Sequence, residues 1–364
     1  MQATFLDRFE KWTEEGMNSE IQAPMPDGSE ALSILTSESL DRVLELAEKA
    51  RRHYFGNRVR AHILNNIKNG NCPEDCGYCA QRRTAEGVPQ YTLKPAEEIL
   101  EEARAAKKNG AFRYCLVTAG RGPSRRQIES FSSVIRQIKS ELGLEVCLSA
   151  GILTDPESAQ MLQEAGLDRY NHNLNTSEEH YGDICQSHTY GDRVGTLENL
   201  HGHGVHLCSG VIAGMGETDE DLVQVALELR RLEVVSIPVN FFLPVPGHAI
   251  ENPRTFSEEQ CLRILSLFRI VNPSAEVRMA AGREHYLKTR QNDALRVANS
   301  LFISGYLNVK GSNASETAQM IEDAGFEMEL SEGEAHGSMV ASESGASEDL
   351  TLKDLADLRP FAGK

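Results

Sequence analysis

Apolar, β-branched runs of strand length recur along the chain at 61–67 (AHILNNI), 112–120 (FRYCLVTAG), 144–151 (LEVCLSAG), 168–176 (DRYNHNLNT), 205–214 (VHLCSGVIAG), 236–247 (SIPVNFFLPVPG), 276–282 (EVRMAAG) and, more weakly, 299–305 (NSLFISG). Between them the apolar positions shift to a spacing of three and four, as in 95–110, 125–143 and 218–233, which predicts amphipathic helices. Gly110, Gly143 and Gly166 close such segments, where a helix C-cap favours a residue free to turn left-handed. Strand and helix therefore alternate. Alternation favours parallel pairing through right-handed crossovers, and eight repeats of it predict an α/β fold of the (β/α)8 TIM-barrel type. A doubly wound open sheet is the alternative, because strand order cannot be read from one sequence.

The flanks read differently. Residues 1–55 are expected to form an N-terminal helical extension, ending in a helix at about 38–53 that leads into the first strand and covers the barrel floor. The barrel is expected over 56–325. Beyond it the composition turns to Ser, Glu, Gly and Ala (SEGEAHGSMVASESGASED), so 326–364 is expected to be a flexible acidic tail, with a brief helix in LTLKDLADLRPF.

Charge narrows the partners. With 54 acidic against 37 basic residues the formal charge is −17, which argues against attraction to nucleic acid or to anionic membranes. No run of eighteen apolar residues is present, and the first twenty residues are too acidic for a secretory signal, so a cytoplasmic protein is expected. In that compartment thiols stay reduced, and clustered cysteines bind metals or do chemistry.

Three of the eight cysteines, Cys72, Cys76 and Cys79, fall within NCPEDCGYCAQ at a C-x3-C-x2-C spacing. No second knuckle follows that would complete a structural zinc site, although a zinc turn closed by a distant Cys or His stays open. Three local thiolates leave one iron of a cubane cluster free to hold a ligand. The motif, with Tyr78 before the last cysteine, resembles that of the radical S-adenosylmethionine superfamily. Cys115, Cys147 and Cys208 stand singly in the second, third and fifth predicted strands. Each alone reads as a small buried hydrophobe. Together, if they face inward, they suit a second iron-sulfur cluster that still needs a fourth ligand.

The segments CPEDCGYCAQ, YNHNLNTS, CSGVIAGMGE and VRMAAGRE together resemble the biotin synthase family over roughly residues 45–325. The resemblance implies a radical sulfurtransferase. In that family a 4Fe-4S cluster on the first trio and S-adenosylmethionine yield a 5'-deoxyadenosyl radical. Sulfur then passes from a 2Fe-2S cluster to dethiobiotin, closing the ring of biotin. Carried onto this chain, the 2Fe-2S ligands are Cys115, Cys147, Cys208 and Arg278. Read from the residues alone, Arg278 is a buried counter-ion. The resemblance also implies that Tyr78, Asn171, Asn173, Asn175 and Arg193 contact S-adenosylmethionine, with Arg193 pairing its methionine carboxylate. Asn171, Asn173 and Asn240 would contact the substrate. Many family members carry Asp where this chain has Asn175, which loses the charge but keeps an acceptor. A flavodoxin or ferredoxin reductant and a homodimer are implied as well. Cys185 and Cys261 lie outside the strand pattern and read as ordinary thiols, and Arg193 taken alone reads as a solvated helix residue.

Overall fold

Residues 3–17, 22–303, 305–331 and 350–362 are described by a computed structural model of the chain. Among the described residues three helices precede the first strand: α1 (Phe5–Glu14), α2 (Gly28–Thr36) and α3 (Leu40–Phe55). They lie outside the barrel, α2 and α3 against α10 (Glu258–Val271) of the outer layer. The strands are β1 (Arg58–Lys68), β2 (Arg113–Thr118), β3 (Glu145–Ser149), β4 (Arg169–Asn171), β5 (Leu207–Cys208), β6 (Val211–Ala213), β7 (Ser236–Phe241), β8 (Glu276–Met279), β9 (Ser300–Phe302) and β10 (Glu327–Glu329). All named pairings are parallel. They run β1-β2-β3-β4-β5-β7-β8-β9 and close where β9 pairs back onto β1. The open-sheet alternative is thereby excluded.

The crossover helices are α4 (Ala96–Lys108), α5 (Arg125–Leu142), α6 (Pro156–Glu164), α7 (Glu178–Ile184), α8 (Tyr190–Gly202), α9 (Asp219–Arg231) and α10. Ser124, Thr189, Thr218 and Ser257 start α5, α8, α9 and α10 through reciprocal capping boxes, so their boundaries are written locally. Gly143 takes the left-handed C-cap of α5 at φ 65°. Short helices α11 (Arg283–Leu287), α12 (Gln291–Leu295) and α13 (Ala314–Asp323) surround the last strands. No helix among the described residues is long and apolar enough to cross a membrane.

Two expectations change. The fifth stave divides into β5 and β6 at Ser209-Gly210 while keeping one register onto β7, and Gly210 lies so close to β7 that a Cβ there would be 2.0 Å from the Pro238 carbonyl oxygen. The supposed tail also divides. Glu327–Glu329 forms β10 and pairs with the start of β1, while 332–349 lie outside the described residues. Residues 350–362 then lie back on the barrel. Lys310 N–H donates to Thr351 O at 2.9 Å and Lys353 N–H to Asn308 O at 2.8 Å. Helix α14 (Leu355–Leu358) presents the Leu358 carbonyl to Lys94 Nζ at 2.6 Å. The fold thus extends past residue 325, the expected end of the barrel.

Candidate active site

The site follows from the alternation of side chains along a strand. Residues two apart share a face, so Arg113 lies one step below Cys115 on β2, Glu145 below Cys147 on β3 and Glu276 below Arg278 on β8. The barrel interior is consequently layered, with charges nearer the N-terminal ends of these strands and thiols above them.

In the lower layer Arg113, fully buried, donates through Nη1 and Nη2 to Glu276 at 2.8 and 3.1 Å, and through Nη2 and Nε to Glu145 at 2.5 and 2.9 Å. Arg278 Nη2 donates to the same Glu276 carboxylate at 2.6 Å and to Ser236 Oγ at 2.8 Å. Burial opposes the Glu276 charge, but Arg113, His62 and Arg278 outweigh it and hold the carboxyl well below the usual range. His62 is pushed well down, first by burial and then by the two arginines. Burial likewise works against the charge of Arg278, yet the facing Cys208 and Glu276 hold its proton more firmly than usual.

The middle layer brings the strand thiols together. Cys115 and Cys147 are register partners on β2 and β3, and Cys208 is the register partner of Asn171. Cys147 interacts with both other thiols. The proximity of Cys115 and Cys147 holds Cys115 below the usual thiol range and pushes Cys147 up to about 12, with Cys208 acting on Cys147 in the opposite direction. All three are buried and pack with Ala280 and Phe302. Arg278 Nη1 reaches Cys208 Sγ at 3.8 Å, and its Nε has no hydrogen-bond partner.

Above lies a cavity of about 300 Å³ lined by Cys72, Cys76 and Cys79 at its outer end and by Cys115, Cys147 and Arg278 at its inner end. The outer trio sits in the loop after β1, at the C-terminal face where barrel chemistry collects. Burial pushes the Cys79 thiol up to about 11. Asn171 Nδ2 donates to Cys208 Sγ at 3.3 Å and to Asn173 Oδ1 at 3.1 Å. Asn175 Nδ2 donates to the Tyr78 hydroxyl at 2.7 Å.

Several residues depart from expectation. Only Asn171 lies within β4. Asn173 and Asn175 follow the strand's end, and Asn175 adopts φ 71°, a left-handed conformation that asparagine tolerates. All three nevertheless line the cavity. Arg193 on α8 is buried, contrary to the solvated alternative. It donates through Nη1 to Asn173 O at 2.8 Å, through Nη2 to the Tyr78 hydroxyl at 3.3 Å, and through Nε to the Tyr181 hydroxyl. Asn240 has both ends of its amide in use, Nδ2 on Val211 O at 2.9 Å and Oδ1 on Ala281 N–H at 3.1 Å, so it ties β6, β7 and the chain after β8 together. One N–H and one lone pair are left for a ligand.

Cys185 does not fit the reading of an ordinary thiol. It is buried with its sulfur 3.8 Å from that of Cys76 and 3.3 Å from Nδ1 of His188. The hydrogen bond between the two sulfurs holds Cys185 well below the usual thiol range and Cys76 well above it. The C-x-x-H spacing of Cys185 and His188 is a sequence signal that could have marked the pair. Cys261, by contrast, is packed in the core on α10.

Comparison with known proteins gives the family. Residues 66–229 match the family model of the radical SAM superfamily, and residues 238–327 that of the biotin and thiamin synthesis associated domain. The chain is 56% identical over 317 residues to a biotin synthase of Leptospira interrogans, covering 84% of this chain and 90% of that protein. It is 48% identical over 301 residues to a biotin synthase of Acaryochloris marina, covering 82% and 87%. Among solved structures, the FeFe-hydrogenase maturase HydG from Carboxydothermus hydrogenoformans superposes with a TM-score of 0.74 at 16% identity over 89% of this chain and 79% of that one. Methylornithine synthase (PylB) gives 0.73 at 20% over 89% and 98%. At such identities the solved structures speak for the barrel alone. The sequence matches, over more than four-fifths of the chain, go further: this chain belongs to the biotin synthase family of radical SAM enzymes.

Proposed function

We propose that the chain inserts sulfur into dethiobiotin to form biotin, with S-adenosylmethionine as the radical source. Cys72, Cys76 and Cys79 hold a 4Fe-4S cluster in this reading, and Cys115, Cys147, Cys208 and Arg278 hold a 2Fe-2S cluster. One observation carries it: thiols from three different strands gather beside a buried guanidinium.

The donors fit the groups. Thiolates are the ordinary ligands of iron-sulfur clusters. Arg278 is the unusual one, since a guanidinium offers only donors until it gives up a proton. Its Nε has no partner and its Nη1 meets only sulfur, so part of the side chain faces something the polypeptide does not provide. When bound, the two clusters and S-adenosylmethionine supply a 5'-deoxyadenosyl radical and the sulfur atom, chemistry beyond acid-base side chains.

The chain's own residues bind, orient and exclude water. Arg193 faces the methionine carboxylate in this reading and offers it the one Nη1 N–H that Tyr181, Asn173 O, Tyr78 and His188 do not take. Tyr78 and Asn175 form one polar pair beside it, and Asn171 and Asn173 supply amides for the nucleoside and for the ureido ring. Glu276 and Ser236 hold the far side of Arg278, which keeps Nη1 aimed at the sulfur layer. Phe302 and Tyr306 pack over that layer and keep it dry. A flavodoxin or ferredoxin as electron donor, a homodimeric assembly and a cytoplasmic location belong to the same proposal. So does a division into an N-terminal helical extension and a barrel with its docked C-terminal segment.

Anaerobic reconstitution tests the cluster content, with about six irons per chain expected if both clusters form. Cys147→Ser then separates the two halves. Methionine and 5'-deoxyadenosine should still form while biotin does not. Biotin formation at the wild-type yield by this variant would remove the sulfur-donor assignment.

A further inference from the structure

Cys185 and His188 have no part in the chemistry above, yet they adjoin it. Among the described residues, Cys76, Cys185 and His188 are the one group of three metal-ligating side chains whose donor atoms all lie within 4.8 Å of one another, and all three are buried. We propose that in the cluster-free chain these residues hold a divalent cation of the zinc class. The ion and the outer cluster then exclude one another, because both take Cys76.

The spacing of the two sulfurs matches a tetrahedral edge. Zinc bound to sulfur at about 2.3 Å and to nitrogen at about 2.0–2.1 Å sets two sulfurs about 3.8 Å apart and a sulfur and a nitrogen about 3.6 Å apart. The Cys76 and Cys185 sulfurs are 3.8 Å apart, whereas Cys185 Sγ lies 3.3 Å from Nδ1 and 3.7 Å from Nε2 of His188, so the imidazole must swing to aim Nε2 at the ion. Nδ1 of His188 donates to Glu74 Oε2 at 2.5 Å, since Arg193, which can only donate, faces Nε2 at 2.9 Å. A carboxylate behind the imidazole is the usual support of a metal-bound histidine. To take the ion, Nε2 gives up Arg193, whose Nη2 keeps the Tyr78 hydroxyl. Asp75 Oδ1 is already engaged by the backbone N–H groups of Gln186 and Ser187, so water completes the coordination. Two thiolates balance the charge of a dication, and sulfur with imidazole selects zinc over magnesium or calcium. The sulfurs of Cys72, Cys76 and Cys79, in contrast, are not all drawn within that 4.8 Å spacing.

The competition rests on the reading of Cys76 as a cluster ligand, whereas binding of the ion does not. The test uses the full-length chain, stripped of iron and sulfide, reduced and anaerobic, titrated with zinc against a chromophoric chelator and with cobalt as a spectroscopic substitute. One equivalent of zinc should bind, and cobalt should show thiolate charge transfer with tetrahedral ligand-field bands. The variant Cys72→Ser/Cys79→Ser keeps all three proposed donors and should keep zinc affinity within about threefold. The variant Cys185→Ser/His188→Gln should lose about tenfold or more, since loss of an outer-shell support alone costs that much. Affinity that follows Cys72 and Cys79 instead, or a wild-type chain that takes up no zinc, overturns the proposal. The first variant decides alone if the second does not fold. Zinc-loaded wild type should rebuild the outer cluster more slowly than zinc-treated Cys185→Ser/His188→Gln; equal rates overturn the exclusion while leaving the proposed sulfur insertion untouched.

Discussion

Glu276→Gln perturbs the buried charge layer at its centre. In the wild type this carboxylate, 1% exposed, accepts from Arg113 twice and from Arg278 once. Glutamine keeps the size and one acceptor oxygen but removes the charge. Arg113 retains Glu145, whereas Arg278 is left with Ser236 and the Cys208 sulfur. Removing one partner of a buried ion pair costs about 3–5 kcal/mol, and the retained acceptor places this change near the lower end, about 3 kcal/mol. An unfolding entropy of about 2.1 cal/mol/K per residue, applied to 364 residues, amounts to about 0.8 kcal/mol/K, so Tm should fall by about 4 °C.

The pH dependence supplies a second reading of the same carboxylate. Its folded value lies well below the 4.5 of the unfolded chain, so its stabilisation is complete above that pH and is lost as pH falls toward the folded value. The gap between wild type and variant should therefore be flat from about pH 6 to 8 and narrow below about 4.5. Urea unfolding of the cluster-free chain, followed by far-UV circular dichroism, measures both. Adding Arg113→Gln should give a double variant less destabilised than the sum of the singles, because the partners are coupled. A Glu276→Gln chain within about 0.5 kcal/mol of wild type at pH 7, a change typical of surface positions, would refute the reasoning, as would a gap that widens in acid.

Three further outcomes follow from other parts of the molecule. Tyr78→Phe leaves Asn175 Nδ2 and one Arg193 N–H without their acceptor and should cost about 1–3 kcal/mol in denaturant unfolding. Gly210→Ala drives a methyl group to 2.0 Å from the Pro238 oxygen, a backbone atom that cannot step aside, so a loss of about 3 kcal/mol or more should appear as insoluble expression or a lowered Tm. Truncation after residue 349 removes the backbone hydrogen bonds from 350–362 to Asn308 and Lys310. Hydrogen exchange of 306–310, which line the cavity in part, should then quicken by about tenfold or more, while β2 and β3 stay protected.

Much of the barrel was legible because its signals are local. Alternating apolar runs mark eight staves, and capping residues such as Ser124, Thr218 and Ser257 mark helix starts one residue at a time. The thiols of Cys115, Cys147 and Cys208 were legible for the same reason, since strand membership plus closure brings them together. The charge layer is not legible in the sequence, although Arg113, Glu145 and Glu276 stand two positions before Cys115, Cys147 and Arg278. A charged residue at the start of a strand reads as a solvated end, and only closure of the barrel turns it inward. Cys185 and the segment 350–362 take their places through long-range packing against the loop after β1 and against α4, contacts that neither a C-x-x-H spacing nor a short helix pattern specifies. The asparagines line the cavity, but a left-handed turn at Asn175 replaces the extended strand that alternation suggests.

The return of residues 350–362 to the barrel makes a buried cation depend on a segment far from it in sequence. An ammonium has three N–H groups to satisfy, and Lys94 meets them with Asn65 Oδ1 at 2.8 Å, the Glu102 carboxylate at 2.7 Å and the Leu358 carbonyl at 2.6 Å. Arg359 next to Leu358 pairs with Glu98, one turn before Glu102 on α4. A change that lifts Leu358 away should therefore be felt at the first stave of the barrel, where a buried charge would be left one acceptor short.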